Sequence, residues 1–262
     1  MVTISEILGY SPIDIHTHFR HPDEETSQRI YTVKASYSTL DFLRTEYDNV
    51  GIRCGGYSSF PAVTSYSGIE EENRILFDLT FQHDWVYQWV VLHPEQEETF
   101  RQAEQMLKSS KALGIKIHPI YHKYDILTYA EKIFSFADRL GAVVLMHPAE
   151  IMEMASFTDR FPNMKLIIAH LSSEDFVTAA AKSKLGNIYL DTSGGASNLN
   201  NIVEYGVHNL GADRILFGTD SYSAAFQLGR IAWARISQED KKLILRDNAV
   251  RLFPRAFRES EV

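Results

Sequence analysis

Residues 13–19 read Ile-Asp-Ile-His-Thr-His-Phe, a β-branched run whose two histidines stand on alternate positions. Side chains along a strand alternate between faces, so His16 and His18 are expected to point the same way. Two neutral imidazoles on one face make half of a transition-metal site, because imidazole nitrogen suits zinc, iron, nickel and copper. A polar strand end that happens to carry two histidines would look the same at this point. The choice between the two depends on what later strands supply.

Short apolar runs alternate with helix-patterned segments along the chain, the rhythm of repeated β-α units around a parallel sheet. Strands are predicted at 13–19, 51–57, 85–93, 115–118, 142–147, 165–170, 187–193 and 214–220. Eight units in 262 residues match an α/β fold of the (β/α)8 TIM-barrel type better than an open sheet. One barrel domain over residues 1–262 is expected, with an irregular polar insertion after strand one (about residues 20–50) that forms a long loop plus a helix over the barrel mouth.

The helices carry ordinary signals. Glu95, Glu97 and Glu98 open one that shows Phe100, Ala103 and Leu107 on one face and closes with Lys108 and Lys111 before Gly114, as the macrodipole favours. Thr128 and Glu131 read as a capping box ahead of Ile133, Phe134, Ala137 and Leu140, with Gly141 as the stop. Ser237 starts a last helix that ends near Phe253-Pro254.

Polar residues recur at the carboxyl ends of the predicted strands. His147 ends the Val-Val-Leu-Met run before Pro148, His170 ends Leu-Ile-Ile-Ala, and Asp220 ends Ile-Leu-Phe-Gly-Thr, while Lys116 and His118 share one face of strand four. In a barrel these ends gather at one mouth. A single histidine there is ordinarily a hydrogen-bonded boundary residue, and an Asp after Gly-Thr ordinarily caps a helix. Five strand ends together point to one metal-centred site.

Composition narrows the partners. A formal net charge of −8 without a basic cluster excludes nucleic acid as the main partner and leaves a small-molecule substrate. Cys54 is the only cysteine, so an intrachain disulfide is excluded, and the N-terminus lacks the pattern of a secretory leader. Cytoplasmic residence is expected. No apolar run has the length to cross a bilayer, so no membrane partner is expected. A homo-oligomer is compatible with the sequence.

The segments DIHTHF, GIKIHP, VLMHP, IIAHLS, LDTSGG and ILFGTD, in that order and followed by LILRDNAVRLF, resemble the metal-dependent hydrolases of the amidohydrolase superfamily. The resemblance runs from Ile13 to Phe253 and is nearest to the branch that includes aminocarboxymuconate semialdehyde decarboxylase and related decarboxylases, hydratases and lactonases. It implies metal ligands from the first, fifth and eighth strands, here His16, His18, His147 and Asp220, and a strand-six histidine, His170, that handles a metal-bound water. Two departures stand out: Ser221-Tyr222-Ser223 follows Asp220 where a proline is usual, and Ser172-Ser173 replaces glycines after His170.

Three imidazoles and a carboxylate can hold a divalent ion, expected to be one Zn2+ per chain, and leave room for a water whose pKa falls towards about 7 on zinc. Asp220 and His170 are the candidate catalytic residues, either of which could take the water proton. Lys116, His118 and Arg20 are candidates for binding an anionic group of the substrate. In binuclear members of the superfamily a carboxylated lysine on strand four bridges two metals, and Lys116, His147 and His170 would allow that arrangement with two ions. The leading expectation is a hydrolase of a lactone, ester or amide through metal-activated water. A non-oxidative decarboxylase or hydratase on the same metal site is the second, and a metabolite-binding barrel without turnover the third. His83, His122 and His208 read as solvated or boundary histidines, and His93 as a structural one. Asp191 reads as either a supporting group behind a ligand or a loop cap, and Cys54 as a small buried hydrophobe. Trp85, Tyr87 and Trp89 read as core aromatics.

Overall fold

The computed structural model describes residues 6–7, 9–23 and 37–257. Its strands are β1 (Ile13–Phe19), β2 (Cys54–Ser59), β3 (Val86–Val91), β4 (Ala112–Ile117), β5 (Val143–Met146), β6 (Lys165–Ile168), β7 (Ile188–Asp191) and β8 (Ile215–Leu216). They pair in parallel and in chain order. The seam between β8 and β1 is joined by Ile15 N donating to Phe217 O (3.0 Å), Thr219 N to His16 O (3.1 Å) and Asp220 N to His16 O (2.7 Å). Helices cross between successive strands, and the fold is the (β/α)8 barrel that the sequence predicts.

Two apolar layers hold it together. Ile13, Ile15, Cys54, Trp89, Leu113, Leu145, Ile167 and Leu216 fill the barrel, sealed at the bottom by Phe253 and Phe257, while Val90, Ile115, Val144, Leu166, Ile168 and Leu190 face the helices. Trp89 donates from Nε1 to Ile15 O across the interior (2.6 Å). Trp85 and Tyr87 pack on the inner layer as expected, and Cys54 is buried, its thiol pushed up to about 12 by burial.

Several boundaries differ from the sequence reading. Gly51 sits at φ 69° and ends the helix Leu40–Val50, so β2 starts later than predicted and runs on to Ser59. The helix opened by Glu97 and Glu98 stops at Met106 rather than at Lys111. Gly114, expected to be its stop, lies inside β4, where a Cβ would come within 2.2 Å of Val143 O and 2.7 Å of the Trp89 ring. Close approach of β5 and the indole requires this glycine. The helix Ile126–Leu140 is capped by Asp125 and not by Thr128. The Asp125 carboxylate accepts from Leu127 N (3.0 Å) and from the Thr128 hydroxyl (2.7 Å), which turns that hydroxyl away from capping. Gly141 does end this helix at φ 60°, and Ser237 caps the last one with a true capping box to Asp240. Of the insertion after β1, residues 24–36 lie outside the described residues, and with them most of the predicted 31–40 stretch.

Candidate metal centre and active site

β1 delivers its two histidines with help from a bulge. The register against β2 shifts between Asp14 and Thr17, so Asp14 turns away from the face shared by His16 and His18. It accepts from Tyr47 OH (2.6 Å) on the Leu40–Val50 helix and from the Thr219 hydroxyl (2.6 Å), Thr219 N (3.1 Å) and His16 N (3.0 Å). One carboxylate therefore ties β1 to the segment that carries Asp220. Burial pushes the Asp14 carboxyl up to about 7, against the pull of those hydrogen bonds.

His16 and His18 are both buried, and their outer ring nitrogens converge on one carboxylate. His18 Nε2 lies 2.9 Å and His16 Nε2 3.8 Å from Asp220 Oδ1. The other nitrogens are taken: His16 Nδ1 is 2.8 Å from Asp191 Oδ2, and His18 Nδ1 is 2.8 Å from Ser58 Oγ. Both rings thus present Nε2 towards Asp220 with Nδ1 held from behind, the arrangement in which supporting hydrogen bonds orient metal-ligating imidazoles. Ligand atoms of His16, His18 and Asp220 lie within 4.8 Å of one another, as do those of His16, His170 and Asp191. His147 belongs to neither trio. It stands in the same cavity, its ring centroid 5.2 Å from His170 and 3.9 Å from His118, on which it stacks.

The protonation states are coherent. Burial, and then the charge of Lys116, lowers His16 to about 3; burial likewise lowers His18, His118 and His147, the last to about 3. Burial opposes ionisation of Asp191 and Asp220, yet the neighbouring histidines and their hydrogen bonds hold both below the usual carboxylate range. Neutral imidazoles beside ionised carboxylates are the forms that bind a divalent cation. Three donor atoms with their outer partners in place therefore fit such an ion. One group competes for it: Lys116 Nζ lies 2.8 Å from His16 Nε2, and burial pulls this amine down to about 8.

Backbone strain marks the same place. His170, Asp220 and Ser221 adopt φ of 63°, 55° and 60°, values unfavourable for residues with a Cβ and common at functional sites. Gly194, at φ 81°, faces both catalytic candidates: a Cβ there would come within 2.8 Å of His170 Nδ1 and 3.1 Å of Asp220 Oδ2.

Two cavities meet at Asp220, Phe60 and Tyr222. The inner one, about 300 Å³, is lined by His18, Lys116, His118, His147 and His170. His118 accepts from Tyr121 N on Nδ1 (3.2 Å), so its Nε2 carries the proton. The outer cavity, about 480 Å³, holds Arg20 with Tyr37, Phe42 and Glu46 from the insertion. Arg20 lies 3.5 Å above the Phe60 ring. Among the described residues its guanidinium forms no ion pair.

The remaining histidines separate cleanly. His208 is exposed, while His93 accepts from Glu95 N in a structural bond. His122, read as a solvated or boundary histidine, is buried rather than solvated and bonds Ala62 O at 2.9 Å at the end of the short helix Pro119–His122. The sequence gives no sign of Ser58 and Tyr47 as partners in the site, nor that the Ser221 hydroxyl accepts from His18 N at 2.9 Å. Ser58 and Ser193 stand at carboxyl ends of strands, the position that singled out the histidines.

A parallel barrel with clustered histidines and a carboxylate at its mouth defines the class of metal-dependent barrel enzymes. The sequence matches the amidohydrolase family over residues 13–255, and the chain belongs to that family. No curated protein matches it. Among solved structures it is similar to 2,6-dihydroxybenzoate decarboxylase complexed with 2,6-dihydroxybenzoate, at 16% identity and a TM-score of 0.71 over 93% of this chain and 99% of that one. A dihydroxybenzoic acid decarboxylase from Polaromonas sp. JS666, with bound manganese and 2-nitroresorcinol, gives 17% identity and a TM-score of 0.71 over 96% and 99%. A protein from Pseudomonas putida assigned as a 2-pyrone-4,6-dicarboxylic acid hydrolase gives 14% and 0.68 over 95% and 99%. At such identities the likeness is one of fold. No helix among the described residues is long and apolar enough to cross a membrane.

Proposed function

We propose that the chain is a hydrolase that acts on a small, carboxylate-bearing lactone, ester or amide with the help of a divalent ion held by His16, His18, Asp220 and His147. The observation that carries this reading is the convergence of His16 Nε2 and His18 Nε2 on Asp220 Oδ1 with their Nδ1 atoms already bonded to Asp191 and Ser58. When bound, the ion supplies Lewis acidity and lowers the pKa of a water. Asp220 would take a proton from an attacking water and return it to the leaving group, with His170 across the cavity as the second acid-base group. His118 and Lys116 offer donors to an anionic group in the inner cavity, and Arg20 offers one in the outer cavity. Family membership supports metal dependence. Zinc remains the proposed ion by donor chemistry, and the manganese in the Polaromonas enzyme makes manganese the alternative.

A second reading is a non-oxidative decarboxylase on the same site, favoured by the decarboxylases among the similar folds. A single domain, with the insertion over the mouth, belongs to the same proposal and is supported by Tyr37, Phe42 and Glu46 lining the outer cavity. The test is activity on a panel of lactones, amides and unsaturated or aromatic carboxylic acids before and after EDTA, with zinc or manganese added back. Ring opening or amide cleavage that follows the metal supports the hydrolase. Carbon dioxide release supports the lyase, and activity indifferent to chelation overturns both.

A further inference from the structure

β7 ends at Asp191, and Asp191 with the following Thr192-Ser193-Gly194 grips His170 through hydrogen bonds whose direction follows atom by atom. Asp191 Oδ1 receives two backbone N–H groups, from His170 (3.1 Å) and Ser193 (2.8 Å). A backbone N–H can only donate, so this oxygen is an acceptor. The Ser193 hydroxyl, which also bonds Asp191 Oδ1, therefore gives its one proton to the carboxylate. That leaves Ser193 Oγ with lone pairs towards His170 Nδ1, 3.0 Å away, and towards His16 Nδ1, 2.9 Å away, whose proton also faces Asp191 Oδ2. The Ser193 carbonyl lies 3.3 Å from the same nitrogen and can only accept. Both partners of Nδ1 thus demand a proton on it. Nε2 has no partner among the described residues, and the ring lines the inner cavity beside Asp220.

We infer that Asp191 and Ser193 lock His170 in the tautomer with its proton on Nδ1, which leaves Nε2 as a lone-pair acceptor towards the substrate cavity. The inference deepens the reading of the site given above and rests on it for the part that His170 plays in the reaction. Ser193 and Asp191 are positioning residues. The Asp191 carboxylate serves both sides of the site, holding the His16 ring through Oδ2 and the His170 ring through Oδ1 and Ser193. In this tautomer the His170 ring can take a proton at Nε2 and has none there to donate. Asp220, held ionised among its histidines, would then be the group that shuttles that proton onward.

The test is nitrogen-15 NMR of the imidazole rings in the full-length, zinc-loaded, histidine-labelled protein, with His170→Gln used to assign the His170 signals. A proton-bearing Nδ1 and an unprotonated Nε2 are expected; a proton on Nε2 overturns the inference. In Ser193→Ala only the carbonyl at 3.3 Å remains to accept. There the His170 signals are expected to move towards a mixture of tautomers, while His16 keeps its Nδ1 proton through Asp191. Unchanged His170 signals would remove Ser193 from the device, and if that variant fails to fold the wild-type spectrum still decides the tautomer. Replacing zinc by cadmium-113 supplies a further arm. Cadmium coupling to His16 and His18 but not to His170 is expected, and coupling to His170 Nε2 would make it a ligand and overturn its role as acceptor. Failure to bind either ion would overturn the metal-dependent reading instead, without touching the tautomer, which is measurable in the metal-free protein as well.

Discussion

Lys116 places Nζ 2.8 Å from Nε2 of His16, so the amine and a metal ion contend for one lone pair. The sequence left Lys116 with two roles, a point charge for the substrate or a carboxylated bridge between two metals. Replacement by Met keeps the apolar stem and removes the competitor. Lys116→Met is expected to bind one ion per chain at least as tightly as the parent, measured by elemental analysis and zinc titration. Two ions per parent chain, falling to one in the variant, would instead establish the bridged arrangement.

His16→Ala with His18→Ala is expected to lower bound metal several-fold. Ser58→Ala, which removes the oxygen 2.8 Å from His18 Nδ1, should weaken metal binding by about tenfold to a hundredfold. His170→Ala should keep the metal and lose turnover. Elemental analysis of the purified variants checks all three, and unchanged metal in the double variant would sink the ligand assignment.

Arg20 faces the outer cavity with its guanidinium stacked on Phe60. A charge-assisted bidentate bond to a carboxylate contributes about 1.5–3 kcal/mol, so Arg20→Ala should raise KM for an anionic substrate by about tenfold to a hundredfold with little change in kcat. Steady-state kinetics on an anionic substrate and its neutral ester would show the effect on the first only.

Gly194→Ala is expected to abolish most turnover. The added methyl would press on His170 Nδ1 and Asp220 Oδ2, and the φ of 81° penalises any Cβ by about 1 kcal/mol or more. Thermal melting should fall by a few degrees while kcat falls by orders of magnitude; a normal kcat would show that the two side chains can be moved apart freely.

Acid should destabilise the metal-free protein. His16 and His147 are lowered to about 3, below the 6.5 of a free histidine, and His18, His93, His118 and His122 are lowered too. Between those values the unfolded chain binds more protons, so this contribution is complete above about pH 6.5 and is lost as pH falls towards 3. Within that window a fully buried group such as His16 costs up to about 1.4 kcal/mol per pH unit. Asp14, raised to about 7, acts in the opposite sense, its contribution being lost as pH rises from 3.8. Six histidines outweigh one aspartate. Urea midpoints should fall steadily from pH 7 to pH 4, and added zinc should oppose the fall until the ligands protonate.

Periodicity and strand-end chemistry alone yielded the eight-unit barrel and its histidine-rich mouth, because the side-chain period of a strand and the parallel direction of β-α units are local properties. His16, His18, His147, His170, Asp220, Lys116 and His118 could all be picked out because each ends or faces a strand. Their grouping could not. Distances between strands depend on register and on the bulge after Asp14, which brings His16 and His18 onto Asp220 while His147 stays beside His118 and His170. The partners of the rings were equally out of reach. Ser58 and Ser193 stand at strand ends like the histidines but are common residues there, and only the closed barrel brings Ser58 to His18, Ser193 to His170 and His16, and Tyr47 to Asp14. The sequence thus determined which residues meet at the mouth, and the tertiary structure decided which atoms of those residues face one another.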